Sequence, residues 1–99
     1  MNVELDYKAL TPPDILFHGT IADTAKLIEQ SGIQKMSRHQ VHLSAETETA
    51  RIVAARRGKP VILVVDAKKM DEDGYKFFQS DNGVWLTDFV PSKYVSSRT

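Results

Sequence analysis

Gly58-Lys59-Pro60-Val61-Ile62-Leu63-Val64-Val65 is the stretch on which the fold turns. Its last five side chains are all β-branched or leucine, so the run reads as a central strand buried on both faces. A strand of that kind needs neighbours on both edges and cover on both faces, and the flanking chain has to supply them. Just upstream, Ser44 is placed to cap a helix running to about Arg57, with Ala50, Val53 and Ala54 as its apolar stripe. Gly58 and Pro60 end that helix. Downstream, Tyr75 to Gln79 and Val84 to Thr87 flank Ser80-Asp81-Asn82-Gly83, and Asn-Gly is the strongest short hairpin signal.

Working outward, Ile15-Leu16-Phe17 reads as a short buried strand ending at His18-Gly19, and Val41-His42-Leu43 as another. Asp23 is a good N-cap for a helix through about Gln30, with Leu27 and Ile28 facing inward and Gly32 as its stop. Val3, Leu5 and Tyr7 alternate with polar residues as an edge strand would, and Thr11-Pro12-Pro13-Asp14 interrupts the chain after it. Phe89-Val90 and Tyr94-Val95 offer a last strand or a docked tail. With no internal repeat, low-complexity tract or linker, residues 1–99 read as one α+β unit. The expected architecture is a mostly antiparallel sheet with two flanking helices.

At 99 residues the chain is long enough for one real core and too short for a large insertion. Its 41% hydrophobic and 26% charged residues match a globular chain. Without cysteine, disulfides and thiolate chemistry are excluded. The longest apolar run, Val61 to Val65, is far too short to span a membrane. Met1-Asn2-Val3-Glu4-Leu5-Asp6 has neither the basic nor the apolar region of a signal peptide, so a cytoplasmic setting is expected. The formal net charge is zero, but Lys35, Arg38, Arg51, Arg56, Arg57 and Lys59 oppose only Glu46 and Glu48 in the middle of the chain. A basic middle between acidic ends fits either a confined anion site or a solvated helix face.

Three motifs carry chemistry. In His18-Gly19-Thr20, glycine lets a ligand approach the backbone, while histidine and threonine can bond a ribose hydroxyl or an amide. The same tripeptide also suits a strand end with a half-buried histidine and a capping threonine. In Arg38-His39-Gln40-Val41-His42-Leu43-Ser44, arginine has the planar fork for phosphate oxygens. His42 and Ser44 leave the same face of a strand, and a helix beginning at Ser44 would favour a nearby anion. Alternatively, Ser44 is only a cap and His42 a core histidine. The third motif is Asn82-Gly83-Val84-Trp85-Leu86-Thr87. Together the three can converge on one cleft lip able to hold an anionic dinucleotide. A metal site is not expected, because His39 and His42 point to opposite faces and no carboxylate sits at a ligand spacing.

Leu16 to Thr20, Arg38 to Ser44, Arg56 to Leu63 and Asn82 to Thr87, in that order, resemble the NAD-dependent RNA 2′-phosphotransferase family, a group within the ADP-ribosyltransferase superfamily. The resemblance covers essentially the whole chain, Val90-Pro91 included. It implies an ADP-ribosyltransferase-like lobe and transfer of an RNA 2′-phosphate to NAD⁺. The products would be RNA with a 2′-hydroxyl, nicotinamide and ADP-ribose 1″,2″-cyclic phosphate. It further implies that His18, Gly19, Thr20, His42 and Ser44 hold the nicotinamide ribose and its amide. Arg38 matches the family's transesterification arginine, and Arg56 is a candidate for the phosphates of NAD. Family members normally begin with a winged-helix-like lobe of comparable length, carrying an Arg-His pair and a second arginine, which nothing in this sequence matches. Where many ADP-ribosyltransferases place a glutamate after the hairpin, this sequence has Val84, which suits an acceptor phosphate that is already charged. Two other outcomes share the motifs: a terminal nucleic-acid phosphate as acceptor, or a non-catalytic module that binds NAD or RNA ends.

Overall fold

The structure is a computed structural model, and it describes residues 9–34, 40–81 and 83–97. The expected central strand is β4, Val61–Val65, hydrogen-bonded on both edges. On one side lies β1, Leu16–Thr20, antiparallel, with Leu16 opposite Val65 and Thr20 opposite Val61. On the other lies the last strand, β8, Val95–Ser97, also antiparallel. A second sheet has the order β3-β6-β5, built from Val41–Leu43, Trp85–Thr87 and Phe78–Gln79. A two-stranded ladder joins β2, Ile33–Gln34, to β7, Phe89–Val90. All these pairings are antiparallel, so the α+β expectation holds.

Three α-helices accompany the sheets among the described residues, one more than the sequence reading expects: α1, Ala22–Ser31, α2, Thr47–Ala55, and α3, Ala67–Glu72. The additional α3 is short and highly charged, which hides its periodicity. Asp66 nevertheless caps it by accepting a hydrogen bond from the Lys69 amide, and Gly74 follows at φ 101°. The other caps differ from expectation. α1 begins after Ile21 and α2 after Glu46, neither with a side-chain cap, so Asp23 lies in the first turn of α1 and Ser44 lies outside α2. Gly32 does end α1, at φ 79°, with its amide donating to the Ile28 carbonyl.

The main core gathers Leu16, Leu43, Leu63, Val65, Phe77 and Val90 with Ala25 and Ile28 of α1. Leu27 is exposed; one residue of rotation gives the inward positions to Ala25 and Ile28. Ala50 and Ala54 of α2, with Ile62, are buried but stand apart from that core, while Val53 points to solvent. Ile62 lies opposite Gly19, so α2 covers that face of the sheet and the main core covers the other. The hairpin turn is closed by Ser80, whose amide donates to the Val84 carbonyl and whose hydroxyl accepts from the Val84 amide. The edge strand expected at Val3 to Tyr7 lies outside the described residues.

Gly19 is where α2 meets the sheet. A methyl group there would overlap the Ala50 carbonyl and stand 3.1 Å from the Ala54 side chain. Substitution Gly19→Ala should therefore push α2 outward and destabilise the fold by about 1–3 kcal/mol, read from a denaturant-unfolding midpoint. An unchanged midpoint would show that α2 does not rest on this glycine.

Candidate functional site

β1 and β3 are each the edge of their sheet, and the two edges meet at one point. There Phe17 and Ser44 exchange both backbone hydrogen bonds, each 2.8 Å. In an antiparallel ladder the next such rung would pair Gly19 with His42. Among the described residues that rung is not formed; instead His18 Nδ1 donates to the His42 carbonyl at 3.2 Å. The strands thus part just beyond Ser44. Strand alternation turns the Gly19 amide and carbonyl to the same side as those of Phe17, toward the opening gap.

A carbonyl only accepts, so His18 carries its hydrogen on Nδ1 and leaves Nε2 as an acceptor. Burial holds the imidazole below its ordinary pKa of 6.5; the bond to His42 opposes this, while the positive charges of Arg57 and His42 reinforce it. His42 is exposed, and its own Nδ1 donates to the Gln40 carbonyl at 3.1 Å. Thr20 is fully buried, and its hydroxyl has no hydrogen-bond partner among the described residues. Such a group costs about 1–3 kcal/mol unless water or a ligand satisfies it.

Of the residues expected from the sequence, His18, Gly19, Thr20, His42 and Ser44 come together along this split. They do so within strands as much as at their ends, since β1 continues through His18-Gly19-Thr20. Ser44 contributes through its backbone rung to Phe17 and does not cap α2. The third motif stands behind the gap: β6 supports β3, with Leu86 opposite His42, and its Thr87 hydroxyl donates to the Lys76 carbonyl at 2.9 Å. Arg38, His39 and Asn82 lie outside the described residues. Arg56 is the exposed C-cap of α2, whereas its neighbour Arg57 is the arginine whose charge reaches His18. Arg56 is named on the family resemblance alone; the helix, expected to run to about Arg57, ends at Ala55.

No helix among the described residues is long and apolar enough to cross a membrane. The class these features define is an α+β domain in which the edges of two antiparallel sheets meet at one backbone rung and part beyond it. Residues 1–89 match the family model described as RNA 2'-phosphotransferase, Tpt1 / KptA family. The chain is 54% identical over 97 residues to a probable RNA 2'-phosphotransferase of Rhizobium rhizogenes, covering 97% of this chain and 52% of that protein. It is 52% identical over 96 residues to one of Fusobacterium nucleatum, covering 96% and 54%. A third, of Streptomyces coelicolor, is 52% identical over 93 residues, covering 94% and 51%. The chain belongs to the RNA 2'-phosphotransferase family. It spans about half the length of the curated relatives it matches.

The lowered His18 pKa has a measurable consequence. The unfolded chain takes up a proton near 6.5 and the folded chain only at lower pH, so stability rises with pH across that interval. The stability missing at acid pH is recovered as pH climbs above 6.5. A ring-nitrogen NMR titration should place His18 below 6.5 as the Nδ1–H tautomer, and Arg57→Gln should move the midpoint part of the way back. A midpoint at or above 6.5 would contradict the enclosed, neutral ring.

Proposed function

We propose that this chain is the NAD-binding half of a cytoplasmic RNA 2′-phosphotransferase with an ADP-ribosyltransferase-like fold. The reaction transfers an RNA 2′-phosphate to NAD⁺, yielding RNA with a 2′-hydroxyl, nicotinamide and ADP-ribose 1″,2″-cyclic phosphate. The observation that carries this reading is the parting of β1 from β3 at the Phe17–Ser44 rung, with the Gly19 backbone groups facing the gap. One amide donor beside one carbonyl acceptor matches a carboxamide, which offers both an NH₂ and a C=O.

NAD⁺ supplies an electrophilic sugar carbon with nicotinamide as leaving group. The chain's own residues do the holding. His18, neutral and with Nε2 as acceptor, is suited to a sugar hydroxyl, which must donate to it. The unpaired Thr20 hydroxyl supports a polar ligand or water at the base of β1. Val84, half-buried beside the hairpin, brings no carboxylate. None is required, because a phosphate is an anionic nucleophile that needs no base to deprotonate it. The later attack on phosphorus builds negative charge, and fixed cations are what stabilise it. Arg38 is the chain's own candidate for that task, and the relatives' additional length is the proposed source of further basic groups, a winged-helix-like lobe among them.

Two measurements test this reading. ADP-ribose should shift the amide signals of His18, Gly19, Thr20, His42 and Ser44; a bound ligand remote from all five refutes the site. Incubated with NAD⁺ and a 2′-phosphorylated oligoribonucleotide, this 99-residue chain alone should give little 2′-hydroxyl product. Full conversion at a rate ordinary for enzymes, about 1 s⁻¹ or faster, would show that its own residues suffice.

A further inference from the structure

Away from the cleft, the first sheet ends in β8, which has β4 as its one neighbouring strand among the described residues. The chain reaches β8 through Pro91 and a single 3₁₀ turn, Ser92–Tyr94, all outside the residues 1–89 that the family model matches. Tyr94 is the buried residue of that turn, and it holds both ends of α3. Its carbonyl accepts from the amide of Asp66, the N-cap, at 2.9 Å. Its hydroxyl donates to the carboxylate of Asp73, the C-cap, at 2.5 Å. That bond, and then burial, push the hydroxyl pKa from 10 up to about 12, so it stays a donor. The Tyr75 ring meets the Tyr94 ring edge-on at 5.7 Å, and the Lys93 ammonium stands 5.2 Å from the Tyr94 ring centre.

α3 depends on this residue more than packing requires. A carboxylate at a helix C-terminus opposes the dipole, so Asp73 is ill-placed for α3 alone; Lys69, at 3.9 Å, and Tyr94 offset it. Six residues are also too few for a helix to persist without tertiary support. α3 in turn reaches β1, because the Lys68 amide donates to the Asp14 carbonyl at 3.0 Å, two residues before Leu16.

We propose that residues 91–97 form a strap that opens and closes as one unit, latched on α3 by Tyr94 and kept closed by a ligand held on β1. Val90, just before the strap, is fully buried and paired with Ile33, so it anchors the point from which the strap swings. Opening would bare the outer edge of β4, release both ends of α3 and, through Lys68, loosen the entry to β1. A ligand seated at His18 needs β1 in place, so it favours the closed strap. That link rests on the proposed function; the strap and its latch do not.

Native-state hydrogen exchange at neutral pH tests this on the full chain and its Tyr94→Phe and Asp73→Asn variants, with ADP-ribose as the probe of β1. The reporters are the Asp66 amide and that of Val64, which strand alternation turns the same way, toward β8. Tyr94→Phe keeps the buried ring and Asp73 is exposed, so both variants should fold. Tyr94→Phe should speed exchange at Val64, Asp66 and Met70 about tenfold or more, by the usual worth of a hydrogen bond to a charged group. Asp73→Asn should act in the same direction and more mildly, and the amides of β3 and β6 should keep their rates in both. In Tyr94→Phe, where strap opening dominates exchange at these amides, ADP-ribose should slow them again. Equal acceleration in both sheets would mean global unfolding and overturn the strap, and no acceleration in either variant would overturn the latch. ADP-ribose seated at His18 with the reporters unmoved breaks the link to β1 and overturns the proposal while the proposed function stands. ADP-ribose bound away from β1, with the variants still opening the strap, refutes the proposed function and supports the latch.

Discussion

A single backbone rung, Phe17 with Ser44, decides how the two three-stranded sheets of this molecule meet. Were the ladder to continue, β1 and β3 would belong to one sheet, and the Gly19 and His42 backbone groups would satisfy each other. The His18 side chain takes the His42 carbonyl instead, so the sheets are joined without being merged. That bond also fixes the imidazole: Nδ1 must donate, Nε2 is left to accept, and burial with Arg57 nearby opposes protonation. Backbone pairing, ring tautomer and ring charge follow from one local substitution of side chain for main chain.

The glycine in His18-Gly19-Thr20 serves the fold before it serves any ligand. Its missing side chain lets the Ala50 backbone lie on the sheet, with Ala54 beside it. The ligand reading of the motif does not need that space, because the relevant Gly19 groups are its amide and carbonyl, directed along the sheet plane rather than toward α2. One residue can therefore meet both demands, packing through its Cα face and presenting its peptide groups to the gap. Thr20 is the reverse case: fully buried, it gains from packing yet leaves a hydroxyl unpaired among the described residues. Valine would fill nearly the same volume without that cost. The hydroxyl is thus a feature that packing alone does not account for.

Much of this was legible in the residues. The apolar run Val61 to Val65 declares itself as the central strand, and the Asn82-Gly83 hairpin places β5 beside β6. Helix boundaries were less legible, because Asp23 and Ser44 have the chemistry of caps while backbone pairing and helix packing set where α1 and α2 begin. The end of α2 was likewise drawn two residues late, at about Arg57 rather than Ala55. Leu27 and Val53 show the same limit: an apolar residue near the inward stripe is exposed when the helix phase is set by smaller neighbours that must touch the sheet. The split between β1 and β3 could not be read at all, since it depends on a rung that fails to form between residues 23 positions apart.

The distribution of charge then bears on how such a domain works within a longer protein. The positive groups described near the cleft, Arg57 and Lys59, sit at the far end of β1 from Leu16, beyond the sugar position proposed at His18. In the proposed function these two cations lie beyond the sugar position, at some remove from the carbon that nicotinamide would leave. A charge building on an acceptor phosphate needs fixed donors of its own, for which the proposed function names Arg38. Relatives about twice as long have chain to spare for more. On that proposal, holding of the nucleotide and stabilisation of the transferred phosphate draw on different groups.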